Sequence, residues 1–215
     1  APPAPVTLTI DADAANNVAT FTNRFSAGTI TLAKTLDGAA KAEPWATAAT
    51  FKVRVTCEVE VDGERGQVFS SDVAIKGGQT IAVPGADDNP SRVPLGSHCW
   101  AAETDAQGAG KVTIEHHDWD SALVVVGNPD KLQTLDLGVL NTFEYAGFTV
   151  TKTVDNGGAV DADNNPIAYP ASFGYHAQCT FNGVAVLNET FTLLDGGSKP
   201  FAGLPAGADC QVNET

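Results

Sequence analysis

The chain has 215 residues, a formal net charge of -14 and 43% hydrophobic residues. That length suits one to two domains, and that apolar content argues against wholesale disorder. The acidity repels phosphate backbones and anionic membrane surfaces, which speaks against nucleic-acid binding, and no apolar run approaches the roughly 20 residues of a membrane-spanning helix.

In chain order the predicted elements are nearly all strands. Residues 1–25 open with a proline-rich stretch and continue into the alternating run Val18-Ala-Thr-Phe21-Thr-Asn23-Arg-Phe25. Next comes Ile30-Thr-Leu-Ala-Lys34-Thr-Leu-Asp37, and then Phe51-Val53-Val55-Cys57-Val59-Val61, with charged or polar residues at the intervening positions. Period two of this kind marks half-buried strands. Asp62-Gly63, Gly77-Gly78 and Asn156-Gly157-Gly158 supply the turns, and no long helical periodicity interrupts them. Short strands at these spacings predict tandem immunoglobulin-like β-sandwich domains. With no methionine in the chain, the native start is expected to lie outside it.

The chain repeats itself. Ile30 to Asp37 recurs as Phe148-Thr-Val-Thr-Lys152-Thr-Val-Asp155, each copy following an Ala-Gly. Ala49-Thr-Phe51 leading to Cys57 matches Ala171-Ser-Phe173 leading to Cys179, and Pro94 to Cys99 matches Pro205 to Cys210. So many colinear matches indicate duplication. They pair Cys57 with Cys99 and Cys179 with Cys210, one disulfide per domain, as expected in an oxidising compartment. The first copy ends in Leu137-Gly-Val-Leu-Asn141-Thr-Phe143, and Asn23 stands from Asn141 at the same offset as Lys34 from Lys152. The expected domains are therefore 27–144, a complete sandwich, and 146–215, a sandwich lacking its last strands. Residues 1–25 become terminal strands that complete a neighbouring copy of the second domain. An arbitrary boundary within a longer array is the plainer alternative.

Strand parity points to chemistry. Lys34 shares a face with Ile30 and Leu32, Glu103 with Cys99 and Ala101, and Asn141 with Leu137 and Val139. Lys152, Glu214 and Asn23 repeat the set. Buried polar groups are costly unless paired. A desolvated lysine amine can be a neutral nucleophile, and a protonated carboxyl can polarise an asparagine amide and shuttle protons. Attack of the amine on the amide carbon would release ammonia and join the two side chains, with no cofactor and no metal. A buried Lys–Glu ion pair with asparagine hydrogen-bonded beside it is the alternative.

Lysine on the first strand, glutamate in a Glu-Thr segment and asparagine on the last strand resemble the B-type collagen-adhesin (Cna-B-like) repeat domains of Gram-positive surface proteins and pili. The Pro-Ala-Gly-Ala-Asp-Cys motif ending at Cys210 is also similar to a repeat domain common in actinobacterial cell-wall-anchored proteins. The resemblance implies isopeptide bonds Lys34–Asn141, assisted by Glu103, and Lys152–Asn23, assisted by Glu214, the second crossing a copy or repeat boundary. It also implies an extracellular, surface-attached stalk or fibre module whose partners are copies of itself or adjacent repeats, and no turnover enzyme. The competing reading is an adhesin head that binds a glycan or matrix protein through loops such as Gly85–Arg92 or Glu115–Trp119. His98, His116, His117 and Asp118 read as solvated positions and no metal site, because adjacent histidines on a strand face opposite ways. Asp161-Ala-Asp163-Asn-Asn165 reads as an Asx turn, lacking the glycine and distal glutamate of a calcium loop.

Overall fold

The structure is a computed structural model that describes residues 10, 18–19, 26–85, 89–127, 131–167 and 171–215. Asn23 and nearly all of the terminal-strand segment 1–25 lie outside the described residues, as do positions 86–88 of the Gly85–Arg92 loop.

The first unit is a sandwich of two sheets. One holds β1 (Ala27–Asp37), β4 (Thr80–Ala82), β5 (Val93–Pro94), β7 (Lys111–Ile114) and β9 (Gln133–Thr142), in the order β4-β1-β9-β7 with β5 also on β1. The other holds β2 (Thr50–Val61), β3 (Glu64–Lys76), β6 (His98–Asp105) and β8 (Leu123–Val124), in the order β3-β2-β6-β8. Alternation does the sorting: in β1 each of Ile30, Leu32 and Lys34 is buried, and in β2 so are Phe51, Val53, Val55 and Cys57. Strands β1 and β9, the first and last of the unit, pair in parallel from Gly28↔Gln133 to Asp37↔Thr142. Between β1 and β2 lies a single helical turn, α1 (Pro44–Thr47), which the strand periodicity did not predict. Its proline stands at the start of the turn, where a missing N–H costs nothing.

The second unit has a three-stranded sheet, β12-β11-β14, and a two-stranded one, β10-β13. Its strands are β10 (Tyr145–Thr151), β11 (Phe173–Phe181), β12 (Val184–Leu193), β13 (Ser198–Pro205) and β14 (Asp209–Glu214). The duplication holds at the backbone. Lys34 donates its N–H to Gln79 O and accepts from Gly78 N–H; Lys152 donates to Gly197 O and accepts from Gly196 N–H. Each lysine is thus held through its backbone by the residues at a Gly-Gly turn, Gly77-Gly78 in one unit and Gly196-Gly197 in the other. Disulfides Cys57–Cys99 and Cys179–Cys210 join the cross-strand pairs β2–β6 and β11–β14. The fold is all-β, with one disulfide per unit.

Candidate functional site

In the first unit, the parallel register sets Lys34 opposite Val139 and Leu36 opposite Asn141, so Lys34 and Asn141 are diagonal neighbours on one face. Glu103, on β6 of the facing sheet, points between them. The lysine side chain is 0% exposed and that of Glu103 2%. Lys34 Nζ donates to Glu103 Oε1 at 2.6 Å. Asn141 Nδ2 donates to the same Oε1 at 3.2 Å and to the Ala106 carbonyl at 3.2 Å. One carboxyl oxygen therefore bridges the amine and the amide nitrogen. Phe51 closes the site, its ring centroid 4.3 Å from Nζ. Among the described residues, Glu103 Oε2 and Asn141 Oδ1 are buried without a hydrogen-bond partner.

Burial decides the protonation tendency. It pushes the Lys34 amine below its ordinary range, although the hydrogen bond and charge of Glu103 act the other way. It pushes the Glu103 carboxyl up, against the hydrogen bond and charge of Lys34 and the Asn141 hydrogen bond. Both shifts favour the neutral forms. An amine biased toward its neutral form beside an amide, with a carboxyl biased toward its protonated form touching both nitrogens, has the parts that acyl transfer needs.

The second unit brings Lys152 and Glu214 together but does not enclose them. Lys152 Nζ lies 3.2 Å from both Glu214 carboxylate oxygens and 4.0 Å from the centroid of the Phe173 ring. The Tyr175 hydroxyl donates to Glu214 Oε2 at 3.3 Å. Here Lys152 is 16% and Glu214 48% exposed, which departs from the core-facing position that strand parity gave both. The reason is architectural: β1 is flanked by β9, whereas among the described residues β10 pairs only with β13. A cleft of about 370 Å³ opens in this unit, lined by Phe148, Leu204, Cys210 and Val212 among others. Burial lowers the Lys152 pKa, but Glu214 and Tyr175 outweigh it and hold the amine above its ordinary range. The same residue types thus hold the amine above its ordinary range in one unit and below it in the other.

Sequence parity found the trio but missed Phe51 and the Ala106 carbonyl; the apolar alternation of β2 could have nominated the first. It also missed the seam between the units. Phe181, at the tip of the β11–β12 hairpin, is buried in the first unit's core, edge-on to Trp45 at 5.2 Å between ring centroids. Asn182 Nδ2 donates to Gln107 O at 2.8 Å, and the Tyr145 hydroxyl to Glu43 Oε1 at 2.5 Å. Of the residues set aside from the sequence, His116 Nδ1 sits 2.6 Å from Ser121 O, and Asp161 Oδ1 accepts the N–H groups of Asp163 and Asn165.

No curated protein matches the chain by sequence. Among solved structures it is similar to the major pilin of Streptococcus pyogenes, at 15% identity and a TM-score of 0.32 over 90% of this chain and 83% of that one. It is similar to two B repeat units of the collagen-binding protein of Staphylococcus aureus, at 15% identity and a TM-score of 0.25 over 90% and 45%. A third is a Mobiluncus mulieris adhesin with disulfide, isopeptide and ester cross-links, at 13% identity and a TM-score of 0.27 over 89% and 81%. Residues 30–144 and 148–215 each match one family, described as a domain of unknown function, DUF5979, and the chain belongs to that family as two successive copies of it.

Proposed function

We propose that this chain is a load-bearing stalk or fibre module of an extracellular adhesin or pilus-like filament on a Gram-positive surface, covalently closed by a self-formed Lys34–Asn141 isopeptide bond. The observation that carries the proposal is the shared oxygen Glu103 Oε1, in contact with both the nucleophile and the leaving nitrogen. The Lys34 amine attacks the Asn141 amide carbon, the C–N bond to Nδ2 breaks, and Glu103 passes the proton lost by Nζ to the departing ammonia. The product is one secondary amide plus one ammonia. The fixed core supplies the proximity, and the reaction runs once per unit.

The mechanical reading follows from topology. Because β1 and β9 run parallel, a chain pulled from its ends enters at one end of this ladder and leaves at the other. A bond from Lys34 to Asn141 carries that load directly and spares everything between. In the second unit, a strand lying on the open β10 edge as β9 lies on β1 would complete the sandwich. The Val18–Phe25 segment of another copy has the matching pattern and would bring Asn23 to Lys152, with Glu214 as the shuttle.

Intact-mass measurement under reducing conditions tests the proposal. The protein should weigh one ammonia less than its sequence for the first bond, and a linked Lys34–Asn141 peptide should appear on digestion. The variants K34A and N141A should keep the full mass. A full sequence mass for the unmodified chain would sink the reading.

A further inference from the structure

The two units meet through a defined set of contacts, and the first unit carries the equivalent elements with apolar residues exposed on them. At the seam, the second unit offers its β11–β12 hairpin tip, carrying Phe181, and the turn after β13, carrying Ala206. Ala206 N–H donates to Glu144 O at 3.0 Å, where the chain passes from β9 into β10. Gly108, at a φ of 74°, lies so close to Phe181 that a Cβ there would strike the ring. In the first unit the equivalent tip is the β2–β3 hairpin and the equivalent turn is Leu95-Gly96. Leu95 N–H donates to Ser26 O at 3.2 Å, just before β1, which is the Ala206–Glu144 bond over again. The tip's apolar face is bare: Val61 is 61% and Leu95 51% exposed.

Exposed aliphatics also mark the segment of the second unit that corresponds to the receiving one. The segment between β1 and β2 holds Trp45, which receives Phe181. The matching segment between β10 and β11 leaves Val160 and Ile167 exposed. Single exposed aliphatics are ordinary on a surface. Val61 and Leu95 lie on the elements equivalent to those that carry Phe181 and Ala206, and Val160 and Ile167 on the segment equivalent to the one that carries Trp45.

We propose that Val61 and Leu95 form a docking tip for the Val160–Ile167 end of the second unit in another copy of this chain, repeating between copies the junction seen within one. The proposal rests on the reading that residues 18–25 complete the neighbouring second unit, since those residues lead directly into Ser26 and so deliver the tip to that end. A heterologous contact of this kind, between two different patches, propagates head to tail into a filament wherever the rotation between copies does not close a ring.

Sedimentation velocity over a range of concentrations tests it, using the N23A chain so that no bond to Lys152 forms and association stays reversible. N23A should self-associate, and adding V61D and L95D should raise the dissociation constant by about tenfold or more. Adding I167D to N23A should do the same from the other face. Mixing the two association-deficient chains should restore dimers but nothing longer, because each keeps one intact face. A dissociation constant unchanged by V61D and L95D, or an N23A chain that stays monomeric throughout, overturns the proposal. Ammonia loss from Lys34 and Asn141, read on the same samples, reports on the stalk reading separately. A chain that loses ammonia but does not associate leaves that reading standing and removes this one.

Discussion

Lys34 and Lys152 are the same residue at the same place in a duplicated unit, held by the same Gly-Gly clamp, and their amines lean in opposite directions. The difference is burial. A neighbouring strand covers Lys34, and desolvation then outweighs the attraction of Glu103. Two measurements follow. Replacing the pair with apolar residues of similar size, K34M with E103L, would be neutral or stabilising by about 1–4 kcal/mol if the trio were only a buried ion pair. With an isopeptide bond closing roughly a hundred residues of chain, the double variant should instead lose about 5 kcal/mol on the chain-entropy estimate for such a loop. Chemical denaturation decides between them. In N141A, where no bond forms, pH should separate the two groups. Glu103 titrates above the ordinary 4.5, so the folded state keeps a proton that the unfolded chain has released, and stability falls as pH rises from 4.5 through the folded value. Lys34 titrates below 10.5, so the unfolded chain binds the extra proton and stability rises as pH approaches 10.5 from below. Denaturation midpoints should pass through a minimum between the two.

At the level of strands, the cross-links divide the work. Cys57–Cys99 fastens β2 to β6 in one sheet, and the proposed bond fastens β1 to β9 in the other. The disulfide spans 42 positions, so C57S with C99S should cost about 4 kcal/mol on the same entropic estimate while the ammonia loss persists. Under force the isopeptide should dominate. Pulled from its ends in reducing buffer, the first unit of N141A should release about 350 Å more chain than the unmodified protein, from roughly a hundred residues at about 3.5 Å each. Equal extensions for the two proteins would show that no bond bears the load. Among the described residues β14 pairs only with β11, whereas β6 lies between β2 and β8. Every residue of β14 is exposed, although its alternation matches that of β6, which packs against a full core.

Across the whole molecule, the seam between the units is built around Phe181. It reaches from the second unit into the first, against Trp45 and close to Gly108, while backbone and side-chain hydrogen bonds fix the register of the seam. Truncating a buried phenylalanine costs about 3–5 kcal/mol. F181A should therefore loosen the junction, seen as a longer maximum dimension in solution scattering and a red-shifted tryptophan emission. Ammonia loss at Lys34 should be unaffected.

The sequence by itself determined the strand content, the duplication, both disulfide pairings and the inward parity of Lys34, Glu103 and Asn141. Each follows from period-two alternation or from colinear repetition, and neither needs a third dimension. Parity says which face a residue shares, but not what lies on the far side of that face. Only the tertiary structure decided that Lys34 is sealed and Lys152 is not, because burial depends on whether a sequence-distant strand lies alongside. The same holds for the Phe181 seam. A phenylalanine before an Asn-Gly turn looks like any strand end until the neighbouring unit is seen to supply its pocket.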